Sequence, residues 1–286
     1  MTTEGSPPPE NFVRRIHDSV AASDNLAEAS VRPPETTPRQ ICQMQRDVVR
    51  KLRLQPNSSV LEIGCGVALL GVPIVHSSAR YVGVDFASQA VDRANRRFAS
   101  ARLEARAEAR CMDVLASPAA FRELGTFDRV LMYAVFHYAR DEMEPKTFLK
   151  RAGDALTPGG RALIGSIPLK DLRATLPHFD TAQRSLGRRL LEVTFWTIRP
   201  ERAALEPTRR WKLRWMLESV VSSRLASPVG AFAPAHLPAN YTLSLTTELI
   251  EGWLAAMSDE IGYHWEMPAP GGPNAVGRAD LVLTKV

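Results

Sequence analysis

The distribution of apolar residues divides the chain into three parts with different patterns. Residues 1–38 are rich in Pro, Ser, Thr and Glu, and only residues 11–29 show weak helical spacing. This composition predicts an N-terminal arm that is flexible or forms a lid. From about residue 39 to 168, strand-like and helix-like segments alternate, and beyond residue 170 this alternation stops. We therefore expect two domains of unequal order: an arm over residues 1–38 and one α/β domain over residues 39–286.

Five segments of the middle part predict buried strands, because each is short, mainly apolar and followed by turn residues. Segments with apolar residues three and four positions apart separate these strands and predict helices. Alternation of this kind is typical of a mostly parallel sheet with helices on both faces. The predicted strands are SVLEIG (59–64), YVGVD (81–85), ARCMDV (109–114), FDRVLMYAV (127–135) and GRALIGSIP (160–168). The predicted helices cover residues 40–54, 67–78, 88–103 and 144–156.

The C-terminal part combines an irregular region with a predicted sheet edge. Residues from about 170 to 240 contain three tryptophans among many basic residues and show no strand alternation, and we interpret them as a cap insert. Residues 246–262 predict a helix that begins at threonine and ends near a glycine. YHWEM (263–267) and ADLVLTKV (279–286) flank a Pro/Gly turn and predict an antiparallel pair at the edge of the sheet.

The composition excludes several classes of protein. The chain has 286 residues, of which 45% are hydrophobic and 23% charged, as is ordinary for a soluble globular protein. Its longest apolar run, 67–75, is too short to span a membrane, and its first residues lack the pattern of a signal peptide. The three cysteines, at unrelated spacings, fit neither a disulfide framework nor a zinc site. These observations favour a cytoplasmic protein.

The positive charge of the chain is concentrated in one segment. The net charge is +5, and the segment from Arg184 to Arg214 contains nine basic residues against three acidic ones. Such a cluster can meet phosphate, nucleic acid or anionic lipid, or it can be a solvated helical face that keeps the protein soluble. Both interpretations stay open at this point, with an anionic small molecule as one candidate partner.

The chemistry of the chain is concentrated at the ends of the first three predicted strands. Gly64 and Gly66 form a tight turn into the next helix, where backbone N–H groups are available to a ligand. The glycine after Gly66 is Gly71, which is the wrong spacing for a dinucleotide-binding turn. Asp85 and Asp113 can accept hydrogen bonds from a ribose diol and an adenine amino group, or each can cap a helix. Three such features in order predict a nucleoside pocket.

Residues 60–168 resemble the class I S-adenosylmethionine-dependent methyltransferases. VLEIGCG, Asp85 and Asp113 match the first three motifs of this family, and the strands FDRVLMYAVFHY and LTPGGRALIGSIP resemble the fourth and fifth. One departure is Ala68, where the family often has glycine. The resemblance implies a Rossmann-like, seven-stranded, mostly parallel sheet with helices on both faces, an antiparallel last strand and a helical cap insert between the fifth and sixth strands.

The resemblance also implies S-adenosyl-L-methionine as cofactor and a role for individual residues. Glu62, Gly64, Cys65 and Gly66 belong to the motif that lines the methionine part. Asp85 would hold the ribose, with Phe86 beside the adenine, whose edge Asp113 and Val114 would read. Tyr133 and Ala134 would lie near the transferred methyl group, and Gln40 would close over the amino acid end.

A hydroxyl or amine acceptor can require a general base. His137 directly follows the fourth strand and is the best-placed candidate, because histidine titrates near neutral pH. It can equally be a residue packed between its aromatic neighbours. His178, His236 and His264 are weaker candidates, and no cluster of His, Cys, Asp or Glu has the spacing of a metal site.

Three functions remain to be separated. The first is methylation of a small molecule, most simply a hydroxyl of a natural product or sugar, with N- or C-methylation as the alternative; weaker similarities point to bacterial tailoring enzymes. The second is nucleic-acid methylation by way of the basic cluster. The sequence MYAVFHY lacks both the Asn/Asp-Pro-Pro-aromatic motif and the Pro-Cys of nucleic-acid methyltransferases, which disfavours this hypothesis. The third is a binding module without activity, which the intact Gly and Asp set disfavours.

Overall fold

The computed structural model describes residues 12–30, 38–169, 245–266 and 278–286. Within these ranges one seven-stranded sheet dominates, in the order β3-β2-β1-β4-β5-β7-β6. The first five strands are parallel, and β7 is antiparallel to both β5 and β6. The strands are β1 (Ser59–Ile63), β2 (Arg80–Asp85), β3 (Ala107–Cys111), β4 (Phe127–Tyr133), β5 (Leu156–Pro168), β6 (Tyr263–Glu266) and β7 (Arg278–Lys285). The predicted sheet and its antiparallel edge are confirmed, whereas the cap insert falls on residues outside the described ones.

Helices connect the strands on both faces of this sheet. In the described ranges they are α1 (Phe12–Val20), α2 (Leu26–Ala29), α3 (Pro38–Leu52), α4 (Gly71–His76), α5 (Ser88–Ser100), α6 (Pro118–Arg122), α7 (Met143–Asp154) and α8 (Thr247–Ile261). A 3-10 helix, Phe136–Tyr138, follows β4. Thr246 caps the start of α8, and Gly262 ends it with φ +67°, as its sequence predicted. No helix in the described ranges is long and apolar enough to cross a membrane.

The two faces of the sheet build two hydrophobic cores. Alternate residues of β4 show the division: Val130 and Met132 face the core covered by α6, α7 and α8, whereas Leu131 faces the core covered by α3, α4 and α5. All three side chains have no accessible surface. Because successive side chains of a strand point to opposite faces, a central strand covered on both sides is apolar at most positions. This requirement explains the continuous apolar runs in the sequence.

The N-terminal arm is partly ordered against α5. The carboxylate of Asp18 on α1 accepts a hydrogen bond of 2.9 Å from the backbone N–H of Gln89, and the guanidinium of Arg93 donates to the carbonyl oxygens of Ala21 and Ser23. A small cluster of buried residues joins the two elements: Ala21, Ala29, Val67, Ala87 and Ala90. Residues 12–30 are therefore packed on the domain. The other residues of the arm lie outside the described ranges.

A pair of helical glycines tests the packing of β6 against α7. A methyl group at Gly153 of α7 would lie 2.0 Å from the hydroxyl oxygen of Tyr263, whereas one at Gly252 of α8 would meet open space. We expect Gly153→Ala to lower the free energy of unfolding by about 1–3 kcal/mol through overpacking. The matched Gly252→Ala should raise it by up to about 1 kcal/mol through helix propensity. Urea titration of both variants measures the difference, and equal effects would contradict the packing of β6 against α7.

Candidate cofactor site

The turn after β1 is held open by its glycines and by backbone bonds to β2. The N–H groups of Gly64 and Cys65 donate to the carbonyl oxygen of Val84 at 2.8 and 3.1 Å. Gly64 and Gly66 have φ of +75° and +49°, a region that favours glycine. A methyl group at Gly64 would lie 2.6 Å from a methyl carbon of Val135, whereas one at Gly66 would have no heavy atom within 4 Å. The turn therefore borders open space at Gly66.

The carboxylate of Asp85 joins this turn to the end of β2. Its two oxygens accept hydrogen bonds from the backbone N–H of Gly66, at 2.8 Å, and of Ala87, at 2.9 Å. The residue is only 4% exposed. Each carboxylate oxygen has a second lone pair, so both bonds leave acceptor capacity for a ligand. Asp85 thus lies at the end of β2, as predicted, and its bond to Ala87 is close to the capping alternative considered for it, whereas its bond to Gly66 was not indicated by the sequence.

Beneath the turn lies a buried polar cluster formed by Glu62, Tyr81 and Cys65. The Tyr81 hydroxyl donates a 2.6 Å hydrogen bond to the carboxyl group of Glu62, which is 3% exposed. Burial raises the pKa of Glu62 to about 8; the Tyr81 bond opposes this rise, and the charge of Asp85 adds to it. Burial also raises the pKa of the Cys65 thiol. The buried side chains of Glu62, Tyr81 and Cys65 thus lie on the inner side of the turn.

The second acid lies in the loop after β3. β3 ends at Cys111 rather than at Asp113. The N–H of Met112 forms the last ladder bond to β2, 2.8 Å from the carbonyl oxygen of Asp85, and the chain then turns away. One oxygen of Asp113 accepts from the N–H groups of Leu115 and Ala116, at 3.0 and 3.2 Å. These bonds close a turn at residues 114–116 rather than cap a helix, since α6 begins at Pro118, and the Asp113 side chain is still 40% exposed. Its neighbour Val114 is buried.

Unusual backbone conformations mark the ends of β4 and β5. Ala134 and Ser166 have φ of +60° and +61°, uncommon for residues other than glycine. The N–H of Ala134 donates to the carbonyl oxygen of Gly165 at 2.9 Å. A side chain at Gly165 would lie 2.3 Å from the ring of Tyr133, so the absence of one allows this close packing. Backbone strain of this kind is concentrated at functional sites. His137 follows on the 3-10 helix after β4.

Helix α1 contributes two residues that the sequence did not single out. The Arg14 guanidinium lies 3.7 Å from the free oxygen of Asp113 and 5.6 Å from the ring centroid of Phe86. The His17 ring lies 5.8 Å from the Phe86 ring and 4.9 Å from that of Tyr138. The arm thus reaches the strand ends that carry the candidate site. The spacing of residues 11–29 indicated a helix, but nothing in the sequence indicated which distant residues this helix contacts.

The other histidine and glutamine candidates differ in position. Gln40 lies exposed in the first turn of α3, whereas Gln45 of the same helix, not anticipated, donates to the carbonyl oxygen of Leu69 at 2.8 Å. His264 on β6 is aligned in register with Thr284 on β7, and Thr284 is aligned with Arg161 on β5. His264 therefore lies on the edge of the sheet opposite to β3. His178 and His236, like the basic cluster Arg184–Arg214, lie outside the described residues. In the described ranges, no group of three His, Cys, Asp or Glu is arranged to hold a metal ion.

Comparison with known proteins relates this geometry to a family. Residues 61–162 match the methyltransferase domain family. The chain is 32% identical over 131 residues to the probable nonribosomal peptide synthetase CymA of Salinispora arenicola (strain CNS-205), a stretch that covers 45% of this chain and 2% of that protein. The chain therefore spans only a small part of this much longer relative.

Two solved structures illustrate the likeness of fold. Magnesium protoporphyrin IX methyltransferase from Synechocystis PCC 6803, with bound SAH, is 12% identical, has a TM-score of 0.54, and is matched over 97% of this chain and 100% of that one. The N-methyltransferase NodS from Bradyrhizobium japonicum WM9, also with SAH, is 14% identical, with a TM-score of 0.53 and coverages of 96% and 98%. At these identities the likeness concerns the fold.

Residues 61–162 therefore form a methyltransferase domain. The sheet order and the glycine turn resemble those of the class I S-adenosylmethionine-dependent methyltransferases. S-Adenosyl-L-methionine is the cofactor of this class.

The buried carboxyl group of Glu62 predicts an unusual dependence of stability on pH. Its pKa is about 8 in the folded protein, against a reference value of 4.5. Between these values the folded state binds more protons than the unfolded chain, so the free energy of unfolding falls as pH rises. Glu62→Gln keeps an acceptor for Tyr81 and removes the titration. From pH 5 to 8, the wild type should lose stability relative to this variant, on the order of a few kcal/mol. Urea titrations in which the free energies of unfolding of the wild type and Glu62→Gln change in parallel with pH would contradict this prediction.

Proposed function

We propose that the protein transfers the methyl group of S-adenosylmethionine to a small-molecule acceptor, a hydroxyl of a natural product or sugar, in the cytoplasm. One observation carries the proposal: the Asp85 carboxylate, at the end of β2, holds the N–H of Gly66 beside open space in the turn after β1. The cysteines of the described ranges, Cys42, Cys65 and Cys111, are free thiols, which fits a reducing compartment.

The residues at the strand ends suit the parts of this cofactor. In our proposal, the backbone around Gly64, Cys65 and Gly66 lines the methionine part, since the turn borders open space at Gly66. The remaining lone pairs of Asp85 accept the ribose hydroxyls, because this carboxylate lies at the border of the turn. Glu62 supports the turn through its hydrogen bond with Tyr81 and would not line the open space beside Gly66.

The nucleobase and the methyl group would lie at the neighbouring loops. We propose that Phe86 packs beside the adenine and that Asp113 and the N–H of Val114 bind its edge, because the Asp113 side chain is partly exposed. Tyr133 and Ala134 would border the transferred methyl group at the end of β4. Gln40 remains a proposal for the amino acid end, since it lies on the first turn of α3.

The chemistry required of the protein is mainly alignment. When bound, the cofactor supplies an activated methyl group on a sulfonium. The rigid strand ends hold donor and acceptor groups in fixed positions, which reduces the entropic cost of bringing the reactants together. The positive φ of Ala134 and Ser166 fixes the backbone beside this point. His137, on the 3-10 helix after β4, is our proposed general base for a hydroxyl acceptor.

The N-terminal arm and the predicted cap insert are our candidates for covering the cofactor and binding the acceptor. The described part of the arm, α1, reaches Phe86 and Asp113, and we propose that residues 1–38 form a lid over the nucleoside. The cap insert, at about 170–240, would build the acceptor pocket. Its nine basic residues between Arg184 and Arg214 favour an anionic acceptor, because a positive surface raises the local concentration of anions.

Loss of the Asp85 carboxylate tests the cofactor assignment. Asp85→Ala removes an acceptor from the ribose and leaves two backbone N–H groups without their partner. Each such loss costs about 1–3 kcal/mol, so the Kd for S-adenosylhomocysteine should rise at least about tenfold. Asp92→Ala, at an exposed position of α5, is the matched control and should bind as the wild type does. Calorimetry giving equal affinities for all three folded proteins would refute the assignment.

Replacement of His137 tests the proposed base. With a hydroxyl acceptor, general-base catalysis is worth about 10²–10⁴-fold, so His137→Ala should lower kcat by this range and leave the affinity for S-adenosylhomocysteine nearly unchanged. The variant should also lose the acidic limb of the kcat–pH profile. His264→Ala, on the distant strand β6, is the control. An unchanged kcat for His137→Ala would exclude the base and favour methylation of nitrogen. A large loss of affinity would instead place His137 in the cofactor pocket.

A further inference from the structure

One buried polar atom next to the candidate site has no hydrogen-bond partner among the residues that the structure describes. The Nε2 atom of His17 is inaccessible to solvent, and no residue in the described ranges bonds to it. A buried polar atom without a partner costs about 1–3 kcal/mol, so such an atom at a site demands an explanation. The rest of the helix does not share this feature: the Asp18 carboxylate, for instance, accepts from the N–H of Gln89.

The charges around His17 set its protonation state. Burial lowers the pKa of the imidazole, whereas Asp85 at the end of β2 and Asp18 on the same helix raise it; the net direction is downward. The other charged group of α1 on this side, Arg14, is directed to Asp113. The ring itself is bordered by Phe86 and Tyr138. A neutral imidazole has one nitrogen that donates and one that accepts, which suits an uncharged hydroxyl.

The position of α1 is fixed rather than incidental. Its hydrogen bond from Gln89 and the Arg93 bonds at its C-terminal end attach it to α5, which starts directly after the Asp85 loop. Arg14 attaches the other end to the loop after β3. His17 lies between these anchors, among groups that belong to the ends of β2 and β4. The imidazole is also close enough to Asp85 for the charge of that carboxylate to act on it.

From these contacts we infer that His17 is a binding residue for the nucleoside part of the cofactor, and that its Nε2 atom forms a hydrogen bond with a ribose hydroxyl. The inference rests on the proposed function, which gives the ribose to Asp85. The helix α1 is then a wall of the ribose pocket. His17 binds and orients the cofactor and takes no part in methyl transfer itself.

The test pairs two ligands with three variants. The ligands are S-adenosylhomocysteine and its 2′,3′-dideoxyribose analogue, which lacks both hydroxyls. The variants are His17→Ala, His17→Gln, which keeps a hydrogen-bonding group, and Arg15→Ala, an exposed residue of the same helix as control. Calorimetry gives each Kd, and thermal unfolding without ligand confirms that every variant is folded.

We expect His17→Ala to weaken S-adenosylhomocysteine about tenfold or more and the dideoxy analogue less than about threefold, with His17→Gln intermediate and Arg15→Ala like the wild type. An equal loss for both ligands would overturn the inference, because His17 would then act only through the packing of α1. No loss for either ligand would overturn it too. If the wild type binds neither ligand while Asp85 and the fold are intact, the proposed function itself fails.

Discussion

The hydrogen bond from the Gly66 N–H to the Asp85 carboxylate is the contact on which the candidate site depends. It joins the loop after β1 to the loop after β2, while the second oxygen of Asp85 holds the N–H of Ala87. The backbone carbonyl of the same residue accepts from Met112 and so attaches the loop after β3. Three neighbouring strand ends are thereby fixed around one residue, by its side chain and by its backbone carbonyl. A carboxylate in this place both shapes the loops and offers lone pairs to a ligand.

The loops lie above a buried carboxyl group, that of Glu62, whose pKa is raised. Placing Glu62 close to Asp85 brings two carboxyl groups together in a region without solvent, and both the burial and the charge of Asp85 favour the protonated form of Glu62. The Tyr81 hydroxyl satisfies one oxygen of Glu62. Its space depends on glycine, since a methyl group at Gly71 or Gly83 would lie 2.7 or 3.0 Å from the Tyr81 hydroxyl oxygen. The glycines of this segment thus serve the support of the turn as well as the turn itself.

Sequence reasoning predicted the sheet because its signals are local. The apolar runs of β1, β2, β4 and β5 reflect burial on both faces, and the antiparallel pair β6–β7 was marked by its turn residues. Local pattern failed where a distant contact decides the conformation. The helix predicted from Val67 begins only at Gly71, since Ala68 has a φ of +56° in the turn fixed by Asp85. β3 likewise ends before Asp113, whose side chain instead accepts from the N–H groups of Leu115 and Ala116 in the following turn.

The candidate site shows the same limit. Asp85 and Asp113 could be chosen from the sequence because each lies at the end of a predicted strand, and parallel strands bring such residues to one edge. The roles of Arg14 and His17 could not, since nothing in the spacing of residues 11–29 shows that α1 lies against Phe86. Contacts between an N-terminal helix and a sheet edge depend on tertiary packing. A polar residue in a weakly helical segment gives no sign of its partner.

The central claim is that the loops fixed by Asp85 form a site for S-adenosylmethionine rather than for a dinucleotide. Calorimetric titration of the wild-type protein with S-adenosylhomocysteine and, separately, with NAD tests it most directly. The account predicts saturable binding of one S-adenosylhomocysteine per chain and no binding of NAD, because the turn lacks the third glycine that lets a helix start approach a pyrophosphate. Binding of NAD in place of S-adenosylhomocysteine would contradict it.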